Sequence, residues 1–466
     1  MAPAPWRMVG AMPRDAVIPL TGADCFLRAF DAETRRTAGA SHLSQIVLRL
    51  GPGLDPAALR DALHRVARAQ PILRAPIRRR AGIGAPVYRL DRAEAAPLPR
   101  VEVHAAKLPP GMQAPVDGVP LPQLCSDRIN AVMRGRRGEL FRADVVEYDG
   151  GRGGADVVFS WLHMLLDGYG SERFLAWLDG VGSGARDARE LGSGEWDDAP
   201  VRGTAGERGK RARSWQAHVE GFRARAPRSL AGPLRRVRQA LRYPVYTLDA
   251  ESTARVEARA AERAGFVTPV LFYLAAAIRA HDAVFRGRGL DPGSYVLPLP
   301  VNLRGRGTEH AIFRTRVSML WFQVLPEQAG DLEGLVDELK RQRREMIRSG
   351  MIENGVAAMD FARYAPSRLY SAMARRTLGG ELCSFFFAFT GPFLAELDRF
   401  FGAPILNGFH AAPVPASPGS GAIMSVRHGR LNVAHVHQQG LFRDDELALF
   451  RERLFADLLG EPRRQR

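Results

Sequence analysis

The stretch Ala155-Asp156-Val157-Val158-Phe159-Ser160-Trp161-Leu162-His163-Met164-Leu165-Leu166-Asp167-Gly168 decides how this chain is read. Its first eight residues are dense in β-branched and aromatic side chains and predict a buried strand. An H-x-x-x-D-G element then runs from His163 to Gly168. Beyond it, Ser171 and Glu172 are placed to cap a helix that buries Phe174, Leu175 and Leu178. His163 thus falls where a strand gives way to a turn, a place where a rigid scaffold aims an accessible side chain. A neutral imidazole held there can take a proton from a hydroxyl or amine near neutral pH.

Working outward, Leu140 to Glu147 reads as a partner strand, joined through Asp149-Gly150-Gly151-Arg152-Gly153-Gly154 into a hairpin. That glycine run is no phosphate loop, because neither a Lys-Ser/Thr pair nor a helix follows it. Ser41 to Leu50 predicts another strand. Asp55 and Pro56 then open a helix with Leu59, Leu63 and Val66 on one face. It stops at Pro71, and Ile72-Leu73-Arg74 is expected to be extended. From about Gly180 to Tyr243 the composition shifts to Gly, Arg, Ser and Asp, which reads as a connection holding at least one Arg-rich helix. The second half predicts helices over 251–264, from Thr268-Pro269 to about Phe285, over Asp331 to Ser349, and over Asp444 to Leu459. Strands are expected over Tyr295 to Asn302, Val317 to Leu325, Leu382 to Thr390 and Leu431 to Gln438. The expected architecture is mixed α/β in two lobes, 1–185 and 246–466, with the connection at 186–245.

The chain has 466 residues, 46% hydrophobic and 25% charged, which suits two lobes with ample core. No apolar run approaches the roughly 20 residues that span a bilayer. Met1 to Leu20 carries no signal-like apolar core, so the expected location is cytoplasmic. Cys25, Cys125 and Cys383 are three isolated cysteines, which argues for reduced thiols and against a zinc module. The formal net charge is +16, carried almost wholly by arginine. Much of it reads as solvated surface. The sharper reading is an anionic partner: coenzyme A phosphates, an acidic carrier protein, or peripheral contact with an anionic membrane. No basic cluster is interleaved with aromatics, so nucleic acid is not expected. His435 and His437 share one strand face, but two ligands without a third do not make a metal site. No G-x-S-x-G elbow is present for serine-hydrolase chemistry.

The order of elements carries a resemblance. A strand leads to the helix beginning Leu54-Asp55, then Pro71-Ile72-Leu73-Arg74, then the hairpin ending in His163-x-x-x-Asp167-Gly168, and later Pro300-Val301-Asn302-Leu303-Arg304. This resembles the chloramphenicol acetyltransferase-like superfamily, which includes nonribosomal-peptide condensation domains and wax ester synthase/diacylglycerol acyltransferase proteins. The opening Leu20-Thr21-Gly22-Ala23-Asp24-Cys25-Phe26-Leu27 is most similar to the last of these. The resemblance implies two chloramphenicol-acetyltransferase-like lobes, each a mixed sheet flanked by helices, with a tunnel between them. It further implies His163 as general base and Asp167 as a structural residue paired with an arginine, for which Arg304 is the candidate. Gly168 would allow the tight turn. Departures exist: Leu162 stands where many relatives carry a first histidine, Thr315 and Ala388 replace asparagines, and a Thr390-Gly391-Pro392 remnant is left.

The function implied is transfer of an acyl group from a thioester, on coenzyme A or a carrier protein, to an alcohol. Ser318, Ser384 and Thr390 are the candidate hydroxyl donors to the transition-state oxyanion. No permanently bound cofactor or metal is expected. Two alternatives stand beside it: condensation-type amide formation with an amine acceptor, and a binding protein that keeps the fold without turnover.

Overall fold

The computed structural model describes residues 17–79, 84–109, 112, 120–191, 195–196, 203–234 and 240–460. The strand Ala155–Leu162 lies inside a six-stranded sheet in the order Arg399–Phe400, Ala403–Ala411, Leu43–Leu50, Ala155–Leu162, Phe141–Tyr148, Arg100–Ala106. Every pairing is antiparallel except the last, which is parallel. All eight residues of the strand are buried, because both of its faces are covered. Ile46, Leu48, Val157 and Phe159 enter the main first-half core. Val47 and Val158 point the other way, into a cluster with Cys125, Ile129, Phe409 and Val436.

The hairpin forms over Phe141–Tyr148 and Ala155–Leu162, its turn using left-handed backbone at Asp149, Gly150 and Gly151. Asp55 caps the helix Pro56–Ala69 as read. The helix after the motif starts earlier than expected: it spans Gly168–Gly182, and its cap is Asp167, whose carboxylate accepts from the Gly170 amide at 2.8 Å. Ser171 instead donates its hydroxyl to the Gly168 carbonyl. Pro71–Arg74 is a 3-10 turn and not extended chain.

In the second half, Phe386–Pro392, Ser420–Arg427 and Arg430–Gln438 form a sheet edged by Leu241–Arg242 and Val245–Thr247. The hairpin Tyr295–Asn302 and Val317–Val324 joins it through Ser384, whose amide donates to the Val296 carbonyl at 2.8 Å. The helix Val270–Gly287 is buried along most of its length against this layer. The connection contributes the polar helix Ala205–Gly221; of its basic run Arg235 to Arg242, residues 235–239 lie outside the described residues. One strand crosses between halves: Ala403–Ala411 pairs with Leu43–Leu50, so a stretch of 246–466 completes the sheet that carries the motif. No helix among the described residues is long and apolar enough to cross a membrane.

The second-half core holds an unusual cluster, His281, His435 and His437, all buried. His281 stacks on Phe385 and His435 on Phe450, with ring centroids 3.6 and 4.0 Å apart. His281 and His437 each donate Nδ1–H to a backbone carbonyl, and among the described residues neither their Nε2 atoms nor either ring nitrogen of His435 has a hydrogen-bond partner. Burial pushes all three pKa values down, that of His281 to about 4. Below pH 6.5 the unfolded chain takes up protons that the folded chain refuses, until the folded pKa is reached. The cluster's contribution to stability therefore rises with pH between about 4 and 6.5. In urea titrations from pH 7 to pH 5, His435→Phe should lose less stability on acidification than the wild type, a difference in slope between the two. An unchanged slope would place the acid sensitivity elsewhere.

Candidate active site

His163 is the first residue beyond the strand, and its amide donates to the His42 carbonyl at 3.2 Å. The ring is half-buried and stacks at a 30° tilt on that of His42, with centroids 5.9 Å apart. Its Nδ1 is shielded and makes no hydrogen bond of good geometry. Burial lowers its pKa, opposed in part by the Leu166 backbone and the Asp167 charge. The ring faces a cavity of about 340 Å³ between the two halves. Pro298, Pro300, Met319 and Phe386 to Phe389 give that cavity apolar walls, while His163, Thr390 and His410 supply polar atoms.

Asp167 borders the cavity, but its carboxylate is engaged in a built anchor. Its Oδ2 accepts from Arg304 Nη1 at 2.9 Å and from the Arg316 amide at 2.8 Å; both ion-pair side chains are at most 5% exposed. Arg304 also donates to the Ala311 carbonyl and lies over the Tyr169 ring. The structure thus brings Asp167 and Arg304 together. Gly168 is a different matter. Its backbone is not left-handed, and a Cβ there would meet only Thr390 and His410 at 3.8 and 4.0 Å, so the turn does not require it. The glycine that geometry demands is Gly170, where a Cβ would sit 2.1 Å from the Ile312 carbonyl oxygen.

Of the three candidate donors, only Thr390 lines the cavity. Ser318 alternates away from it, donating to the Ile352 carbonyl at 2.9 Å, while its neighbours Val317 and Met319 face in. Ser384 is a structural link, accepting from the Val296 amide and donating to the Ser294 carbonyl. Sequence reading missed His410, carried by the crossing strand. Its Nε2 lies 2.9 Å from Glu172 Oε1, and the other oxygen of Glu172 accepts from the Leu394 amide. It missed His42 as well. No motif announces either residue; both reach the site only through strand pairing.

Cys25, Cys125 and Cys383 are all buried free thiols, with burial raising their pKa values, so none is poised as a nucleophile. Among the described residues, ligand atoms of Glu102, His104 and Asp144 approach within 4.8 Å of one another. Arg128 and Arg142 bind the same Asp144, and these cations would repel a metal ion.

The fold is that of condensation domains and related acyltransferases. The first condensation domain of the CDA synthetase is similar at a TM-score of 0.69 with 16% identity, covering 96% of each chain. A trichothecene 15-O-acetyltransferase from Fusarium sporotrichioides is similar at a TM-score of 0.68 with 12% identity, covering 98% of this chain and 97% of that one. A mutant starter condensation domain of rhizomide synthetase, in complex with C8-CoA and Leu-SNAC, is similar at 0.62 with 15% identity, covering 95% and 94%. No family model matches the sequence, and no curated protein matches it.

Removing one partner of the Asp167–Arg304 pair leaves a buried charge uncompensated. Arg304→Ala should cost about 3–5 kcal/mol of unfolding free energy. Arg304→Lys should recover part of it, since one of the several hydrogen bonds can be rebuilt. Denaturant titration of the two variants checks this, and a loss below about 1 kcal/mol would mean the pair does not anchor the loop.

Proposed function

We propose that the protein is an acyltransferase that moves an acyl group from a thioester to an alcohol, with His163 as general base. The observation that carries this reading is the half-buried His163 imidazole at the mouth of a rigid turn, facing a cavity between the lobes. With Nδ1 shielded, Nε2 is the nitrogen left to meet substrate. It takes the hydroxyl proton as the oxygen attacks the thioester carbonyl carbon. The tetrahedral intermediate then expels the thiolate, the carbon–sulfur bond breaks, and the imidazolium returns its proton to sulfur. The carbonyl oxygen gains charge in that step, and Thr390, whose hydroxyl also reaches the Met424 carbonyl at 3.5 Å, is the candidate among the cavity's hydroxyls to stabilise it. Asp167 keeps its structural role, because both of its oxygens are already engaged.

The similar folds support acyl transfer or condensation in general. A relative in complex with C8-CoA supports acyl-coenzyme A as co-substrate, with a carrier-bound thioester as the other form. Leu-SNAC in the same complex supports the second reading, amide formation with an amine acceptor. A fold-keeping protein without turnover is the third. The lobe boundaries at 185 and 245, the cytoplasmic location, and contact with an acidic carrier protein or an anionic membrane remain part of the proposal on composition and charge.

His163→Ala, with folding confirmed by circular dichroism, should lower thiol release from acyl-coenzyme A in the presence of pooled alcohols and amines by a hundredfold or more, an order of magnitude set by general-base catalysis. Turnover retained above background would remove His163 from the role. Because burial lowers its pKa, the neutral base persists below pH 6.5, so the wild-type rate should hold from neutral pH down past that value before falling. A rate already halved near pH 7 would point to a different base.

A further inference from the structure

On the other side of the turn that carries His163 lies a cavity of about 400 Å³ that shares no lining residue with the first. The separation follows from helix and strand geometry. The helix Gly22–Thr37 gives Ala23, Phe26, Leu27 and Phe30 to the His163 cavity, and Arg28, Asp31, Ala32 and Arg35 to this one. Each member of the second set follows its counterpart by five positions, which turns one face about 140° from the other. The motif alternates in the same way: Trp161 and His163 line the first cavity, Leu162 and Met164 the second.

Cations dominate this second space. Arg28, Arg35, Arg134, Arg136 and Arg137 line it, and Asp31 is the one carboxylate among the lining residues. Asp31 is already engaged by Arg35, at 2.7 Å. Arg28 is half-buried and donates to the Ser367 hydroxyl at 2.9 Å. Burial lowers its pKa, and the charges of Arg79 and Arg136 lower it further, with Asp31 acting the other way. Arg134, Arg136 and Arg137 are exposed and form no ion pair among the described residues. The turn that bears them is pinned. A Cβ on Gly135 would sit 2.7 Å from Leu162, and Gly138, at φ 81°, ends the turn where a Cβ would meet the Arg74 carbonyl oxygen at 2.2 Å. Like charges held together by the backbone cost free energy, and a multivalent anion set among them removes that cost.

From this arrangement we infer that the arginine-lined cavity is a second ligand site, which binds a phosphate monoester dianion. A planar guanidinium offers parallel donors that match a pair of phosphate oxygens, and several guanidiniums on one cavity suit an anion with more than two acceptor oxygens and more than one charge. A carboxylate has neither. The volume falls at the small end of the range usual for ligand sites, roughly 300–1,000 Å³, with room for a phosphate and a small polar body. The site stands apart from the proposed reaction and does not rest on it. The phosphate can be carried by a soluble metabolite or by a lipid headgroup, and the chemistry that recognises it is the same.

Calorimetry on the full chain tests this, with inorganic phosphate and glycerol 3-phosphate as soluble probes at constant ionic strength in chloride buffer. Sedimentation with phosphatidylcholine vesicles, with and without phosphatidic acid, tests the lipid source. Binding is expected in one arm, and that arm identifies the carrier of the phosphate. The double variant Arg136→Gln with Arg137→Gln should weaken it at least about tenfold, the loss that follows from removing charge-assisted hydrogen bonds. Arg344→Gln with Arg348→Gln, an equal change of charge on exposed residues of the helix Leu332–Arg348, should leave it unchanged. Without ligand, the first variant should melt no lower than the wild type, because it relieves the crowding around Arg28. The inference is overturned if no probe binds, if both double variants weaken binding equally (net charge alone), or if the first variant melts lower, which would mark these arginines as structural.

Discussion

One short backbone segment, 312–316, holds the two halves of the molecule in register, and it is gripped by carboxylates from the first half and the connection. Glu195 accepts from the amides of Ile312 and Phe313, each at 2.7 Å, Asp24 from that of Thr315 at 2.9 Å, and Asp167 from that of Arg316 at 2.8 Å. The Arg314 amide donates to the Leu165 carbonyl inside the motif turn, and Arg314 itself takes a left-handed backbone, with φ at 68°. All three carboxylates are buried, and burial pushes the pKa of Asp24 up to about 6 and that of Glu195 upward. Carboxylates taken out of water are tolerable only when amides and guanidinium groups replace their hydration. The segment is therefore fixed in place, and the His163 turn with it.

That constraint explains why the cavity can exist. A space between two lobes collapses unless its walls are held apart by something stiffer than apolar packing. Here the turn bearing His163 is tied to 312–316 on one side, and the crossing strand Ala403–Ala411 is hydrogen-bonded along Leu43–Leu50 on the other. The Glu172–His410 contact joins that strand to the helix starting at Gly168. Each wall of the cavity thus contains residues from both halves of the sequence. Gly170 fits the same logic, since it lets the helix approach the Ile312 carbonyl closely enough for Asp167 to reach Arg304 and the Arg316 amide.

Local sequence was informative where periodicity and capping are local. The hairpin, the Asp55 cap, and the second-half helices over Ala250–Ala264, Val270–Gly287, Leu332–Arg348 and Asp444–Leu459 follow from side-chain spacing alone. The helix Gly22–Thr37, with its Thr21/Asp24 capping box, could have been read from the same rules but was met only as part of a motif. The strand Ala403–Ala411 was not legible. It mixes Pro, Asn, Gly and His, and it gains strand character from pairing with residues about 360 positions away. His410 was hidden for that reason. Ser318 and Ser384 failed for another: both are strand-region hydroxyls whose facing is set by register, and a one-residue alternation separates a cavity wall from a helix contact.

Arginine usage shows how composition can mislead about surfaces. Arg375 and Arg427 are buried, as is the side chain of Arg304, and they tie distant segments together: Arg304 to Asp167, Arg375 to Glu33 and the Ser417 carbonyl, Arg427 to the Leu394 and Leu397 carbonyls. Arg74, part of a basic cluster in the sequence, is buried with its guanidinium on the Ala67 carbonyl. A guanidinium suits this work because its planar donors can satisfy several carbonyls at once while remaining charged. Part of the +16 formal charge is thus spent inside the protein. Attraction for an anionic partner has to be argued from the arginines that remain exposed, such as Arg223 and Arg376, and not from the total.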